Sequence, residues 1–223
     1  MRNAAAVILV FVGGFAIMVL EIIGARYLAK DFGSSFYVWV SQIGVILVAL
    51  ALGYAVGGAL ADRFQHLSFL AALLIPAGLI TFLIPNFAPR LINAVILRHP
   101  TGRDIPLLWQ KLDPVIGSSL IFLFPCFGLA TLSPYMIRLV TQHVAHVGKI
   151  SGLIIAASTI GSIAGVFISG YVLIDRMGVS NIFRTMGALT IFLGIACLFM
   201  DRWFAANPNA ESRNPKEPRS AND

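Results

Sequence analysis

Charge is what this chain has least of. Only 12% of its 223 residues are Asp, Glu, Lys or Arg, while 58% are hydrophobic and the mean hydropathy is +0.85. A soluble domain of this size carries about 25% charged residues, so the shortage argues against an ordinary water-soluble fold. Cysteine is scarce too. Cys126 and Cys197 each lie in an apolar run, and no CxxC occurs. That spacing gives neither a zinc site nor a disulfide framework, and both thiols read as small apolar packing groups. No GxGxxG, P-loop, GxSxG or HExxH element occurs, and no paired carboxylates or nucleophile–base arrangement replaces them. Catalysis by this chain, a bound cofactor and a metal site are therefore not expected. The net charge is +6, but the basic residues are scattered between apolar runs. Nucleic-acid binding wants them clustered on one face with aromatics between them, so that class is set aside.

What the chain has in plenty is apolar length. A membrane span needs about 20 mostly apolar residues, and six stretches qualify: Ala4 to Ala29, Val38 to Ala61, Leu67 to Phe87, Pro114 to Leu139, Ile150 to Ile174 and Val179 to Met200. Pro76 and Pro85 fall in or at the end of the third, and Pro125 and Pro134 break the fourth. The N-terminal run could imitate a signal peptide, but no small-residue cleavage site closes it and Glu21 follows, so it reads as an uncleaved first span. The stretch from Ala88 to Leu97, flanked by Arg90 and Arg98, reads as a helix lying at the membrane surface. Residues 1–204 thus form a six-span all-α domain in contact with the lipid bilayer. Residues 205–223, rich in Asn, Pro, Ser and charge, form a disordered polar tail.

The two halves look related. Asp62-Arg63 ends the second span, and Asp175-Arg176 ends the fifth. Each Asp follows a glycine by five residues, Gly57 and Gly170. Arg26 closes the first span and Arg138 the fourth, at almost the same interval along the chain as separates the two Asp-Arg pairs. Three spans repeated once place the second unit upside down, the inverted 3+3 arrangement of many transporter folds and of half a major facilitator. Lys and Arg divide evenly, eight on each side, so the positive-inside rule does not orient the chain.

Glu21 and Arg26 stand out because charge inside a span costs roughly 2.5–3.5 kcal/mol at the helix centre. Glu21 could hold a cation or relay a proton. It could equally be a structural partner of Arg26 or Arg138. Glu21 and Arg26 do not stack on one face, because five residues turn a helix by about 140°, so a partner on another helix is the more natural one. Ser41 and Gln42, near the start of the second span, could line a polar cavity or bond to another helix, as could Ser158 and Ser162 in the fifth. Gly53 and Gly57 are spaced as GxxxG, and Gly58 follows. Gly161 and Gly165 repeat the device. Small residues of this kind bring helix backbones together or act as a gating pivot. Asp62-Arg63 ends the second span either as an interhelical charge latch or as an ordinary interfacial ion pair. His143 and His146 could share a helix face, but without a third ligand they read as a solvated loop pair.

Read in order, Leu20-Glu21, Gly24, Arg26, Phe32-Gly33-Ser34-Ser35, Val38-Trp39, Ile43-Gly44, Leu52-Gly53-Tyr54, Gly57-Gly58 and Asp62-Arg63 form one series. Ser133-Pro134-Tyr135, Arg138-Leu139, Val147 to Gly152, Ser158 to Ser162 and Gly165 continue it. The series resembles the membrane portion of the fused major-facilitator/spermidine-synthase proteins. Those carry a soluble synthase-like domain after the membrane part, which has no counterpart in this sequence. The resemblance implies a multi-pass protein of the cell (inner) membrane with both termini cytoplasmic. Two functions follow as expectations. One is a transporter-like module, working as a homodimer, for a small cationic, polyamine-like solute. The other is a non-catalytic membrane subunit or anchor for a separately encoded, soluble spermidine-synthase-like partner.

Overall fold

The computed structural model describes residues 2–33, 36–99, 105–141 and 147–205, and among these every regular element is a helix. They are α1 (Arg2–Phe32), α2 (Phe36–Arg63), α3 (Ser68–Ile96), α4 (Leu107–Ala130), α5 (Leu132–Val140), α6 (Val147–Ile168), α7 (Ile174–Arg176) and α8 (Val179–Ala205). A π turn, Ser169–Leu173, joins α6 to α7. Six stretches are long and apolar enough to cross a membrane: Asn3–Phe32, Phe36–Arg63, Ser68–Ile96, Leu107–Val140, Val147–Arg176 and Val179–Asp201. This is the architecture of a multi-pass membrane protein. The histidine pair, His143 and His146, and residues 206–223 of the tail lie outside the described residues.

Two stretches depart from the sequence reading. Ala88 to Leu97 does not form a separate surface helix; α3 runs through it to Ile96. Ile84, Ala88, Ile92 and Val95 are all buried, and their spacing keeps one apolar stripe facing the bundle. That burial carries the helix past Pro85 and Pro89. The fourth span begins at Leu107 rather than Pro114, and it breaks between Ala130 and Leu132, not at Pro125. Pro134 explains the position of the break. It has no N–H for the Ala130 carbonyl, and its ring crowds that group. Thr131 sits at the break and bonds through its hydroxyl to the Gly128 carbonyl.

The first turn in the chain is sharper. α1 ends at Phe32, and Gly33 takes φ +85°, the left-handed conformation that closes many helices and that glycine adopts without strain.

Within the bundle α3 lies mainly against α8, α1 against α6, and α2 against α4 and α5. Hydrophobic burial drives little of this in a bilayer, so close backbone approach matters more. Gly78 of α3 and Gly187 of α8 supply it reciprocally. A Cβ on Gly78 would stand 2.8 Å from the Gly187 oxygen, and one on Gly187 would stand 2.7 Å from the Gly78 oxygen. α1 and the α4–α5 span are the most enclosed, with 56% and 61% of their apolar windows buried; the α6–α7 span is the least, at 22%.

Side-chain contacts tie the two ends of the bundle. At one end Tyr27 meets Phe183 edge-on at 5.5 Å, and Lys111 stands 5.3 Å from the Tyr37 ring. Trp39 and Trp109 are exposed near the same end, where amphipathic rings suit the membrane boundary. At the other end the Asp201 carboxylate of α8 accepts the Leu67 backbone N–H at 2.6 Å, occupying a donor that the start of α3 would leave unpaired. Tyr135, fully buried, donates its hydroxyl to the backbone oxygens of Phe64 and His66, the latter at 2.8 Å. Cys126 and Cys197 are free and buried, as small apolar packing residues should be.

Candidate functional site

Glu21 lies two-thirds of the way along α1 and is half-buried. Neither structural partner foreseen for it takes it. Arg138 bonds instead to Asp62, and Arg26 is exposed toward the end of α1 with no carboxylate against it among the described residues. Among the described residues Glu21 makes no ion pair and no hydrogen bond. It is the one carboxylate that the six spans keep half-buried away from their ends without a counter-charge among the described residues.

Gln42 is close by in the fold. It is fully buried, accepts the Ser118 hydroxyl at 2.7 Å and donates through Nε2 to the Leu20 carbonyl at 3.4 Å. It therefore joins α2, α4 and α1 immediately before Glu21. The junction exists because Gly24 leaves room: a Cβ there would lie 2.3 Å from Gln42 Nε2. The bonds that Gln42 makes are interhelical ones. Ser41 returns its hydroxyl to the Tyr37 carbonyl at 2.6 Å and lines a groove between α2 and α4.

Ser158 and Ser162 serve the contact between α6 and α1. Ser162 donates to the Gly14 carbonyl at 3.3 Å, and Ser158 lies 3.5 Å from Ser133 of α5. The glycines divide by role. A Cβ on Gly161 would meet the Phe11 oxygen at 2.0 Å, and one on Gly165 the Phe15 oxygen at 2.5 Å. On α2, Gly53 would meet the Phe127 oxygen at 2.8 Å and Gly57 the Thr131 oxygen at 2.9 Å. A Cβ on Gly58, by contrast, would meet nothing within 4 Å.

Asp62 and Arg138 are joined at 2.5 Å, with side chains 68% and 44% exposed. The pair links the end of α2 to α5. Arg63 instead stands over the Phe64 ring at 5.3 Å.

A second polar cluster escaped the sequence reading. Asp113, only 4% exposed, holds Arg98 and, at 2.8 Å, His99. Arg98 also lies over the Trp109 ring at 4.3 Å. A span starting at Pro114 makes Asp113 a loop residue, whereas a helix from Leu107 buries it in the second turn. The signal available in sequence was a carboxylate next to a proline, too common to single out. Among the described residues no three His, Cys, Asp or Glu side chains gather as a metal site would need.

Compared with known proteins, the chain matches no family model, no curated protein and no solved structure.

Proposed function

We propose that this chain is a transporter-like membrane module that binds a small cationic solute at Glu21. The observation carrying this reading is the half-buried carboxylate within α1, which has no partner among the described residues. An intramembrane ionisable group is costly and marks a functional site by default. Its neighbour Gln42 is pinned by Ser118 and the Leu20 carbonyl, which holds the α1 backbone in place beside it. A polyamine-like amine would supply the missing counter-charge.

The architecture in this reading is two inverted three-span units. Packing supports it: Gly53 meets the Phe127 oxygen while Gly165 meets the Phe15 oxygen. The interval along the chain from Gly53 to Gly165 equals that from Phe15 to Phe127. One contact thus recurs with its two helices exchanged, as an axis in the membrane plane requires. Two six-span copies would enclose a path, and α6, the least buried span, offers the face for pairing.

The test is spermidine binding and uptake by the chain reconstituted in vesicles. Glu21→Gln should abolish both while thermal unfolding stays near that of the unaltered chain. Undiminished uptake by a folded Glu21→Gln protein would remove Glu21 from the function.

A further inference from the structure

Between α2 and α4 runs a groove of about 530 Å³ that opens at the surface of the bundle, among exposed apolar side chains such as Val40, Val48 and Val115. Val40 and Val48 of α2 and Val115 and Leu123 of α4 form its walls. Gly44 is its floor, where a Cβ would meet nothing within 4 Å. At its mouth stand Tyr37 and Lys111.

Three observations bear on the occupant. The first is depth. Tyr37 to Val48 and Lys111 to Leu123 each cover about 16–18 Å of helix at 1.5 Å per residue. Half of a hydrocarbon core of about 30 Å is about 15 Å, so the groove runs from the headgroup level to the midplane, one leaflet deep. The second is lining. Its few polar groups are short hydroxyls, and that of Ser41 is already given to the Tyr37 carbonyl. The third is charge. Lys111 is exposed, rests beside the Tyr37 ring and pairs with no carboxylate among the described residues. The nearest acid in sequence, Asp113, is committed to Arg98 and His99.

An apolar channel one leaflet deep with a free ammonium at its surface end has the chemistry of a single lipid of negative headgroup. We propose that the groove is a binding site for one anionic phospholipid, its phosphate held by Lys111 and one acyl chain lying along α2 and α4. The site is separate from Glu21 and stands whether or not Glu21 binds a solute.

The experiment is native mass spectrometry of the full chain in mild detergent, titrated with phosphatidylglycerol or phosphatidylcholine. The unaltered chain should retain one phosphatidylglycerol in preference to phosphatidylcholine by roughly five-fold, the factor that one basic residue near an anionic surface supplies. Lys111→Gln should level that preference, and Lys111→Arg should keep it. Gly44→Leu should fill the floor and evict both lipids, while Gly58→Leu, equally open but outside the groove, should leave retention unchanged. Thermal unfolding of each variant shows whether the fold has survived. Equal retention of the two lipids by the unaltered chain would overturn the proposal. So would a preference that persists in Lys111→Gln, or a dimer that forms without lipid and is lost in Gly44→Leu.

Discussion

Arg138 donates from Nε to the Asp62 carboxylate across 2.5 Å, so the end of α2 is held to α5 by charge. Both side chains are well exposed, and exposed pairs are worth only about 0–1 kcal/mol. Asp62→Asn should therefore lower the unfolding temperature slightly, and less so at high salt, where screening already weakens the pair. A large drop, unaffected by salt, would mean that the pair works as a structural post. The exchange Asp62→Arg with Arg138→Asp should recover most of any loss.

Gly161 sets the spacing of α1 and α6. Because its Cβ would stand 2.0 Å from a backbone oxygen, the strain cannot be relieved by turning a side chain. Gly161→Ala should destabilise by about 1–3 kcal/mol, the usual cost of overpacking. Gly152→Ala, in the same helix with open space around it, should be neutral or stabilise by about 0.5–1 kcal/mol through backbone entropy. Thermal unfolding of the two variants side by side checks the contrast.

The Ser118–Gln42 bond predicts a non-additive pair. Ser118→Ala leaves the buried Gln42 oxygen without its donor, at a cost of about 1–3 kcal/mol. Gln42→Leu removes the group that needs satisfying, so adding Ser118→Ala to it should cost clearly less than Ser118→Ala alone. A double-mutant cycle in detergent measures the difference. Strict additivity would show that the two side chains do not interact energetically.

Asp113 predicts a fourth effect. It is nearly buried and faces two potential cations, Arg98 and His99. Asp113→Asn should loosen the segment after α3, raising amide hydrogen exchange around Arg98 and His99 while leaving the Asp201–Leu67 end unchanged. Uniform exchange across the chain would sink this assignment.

The six spans were legible because hydropathy is a one-dimensional signal and each run exceeds the length a bilayer demands. Their ends were less so. α3 continues to Ile96 because the buried stripe of Ile84, Ala88, Ile92 and Val95 outweighs two prolines, and a proline read alone argues for a stop. Charge pairing was the least legible. Spacing showed that Glu21 and Arg26 do not share a helix face, but which helix stands opposite depends on the packing of the whole bundle. Arg138 went to Asp62, and Glu21 was left without a partner among the described residues, for that reason. The close glycines of α2 and α6 were visible as GxxxG spacing. Gly78 and Gly187 were not, because each is a single glycine whose meaning comes from the other.

The π turn ending α6 changes the direction in which everything after it points. The Ile174 N–H bonds to the Ser169 carbonyl, five residues back, where an α-helix would reach four. One residue is thereby added to the turn without a loop, and the chain beyond it is rotated by about 100°, one residue's share of a helical turn. Before that turn Gly165 follows Gly53 at the interval by which Phe127 follows Phe15; after it Asp175 follows Asp62 at an interval one position longer. In the inverted repeat proposed above, the wide turn would be where the extra residue is absorbed. It lets Asp175 and Arg176 face outward without disturbing the α1–α6 seam below. Trimming one residue there would swing both charges round the helix axis and leave the seam intact.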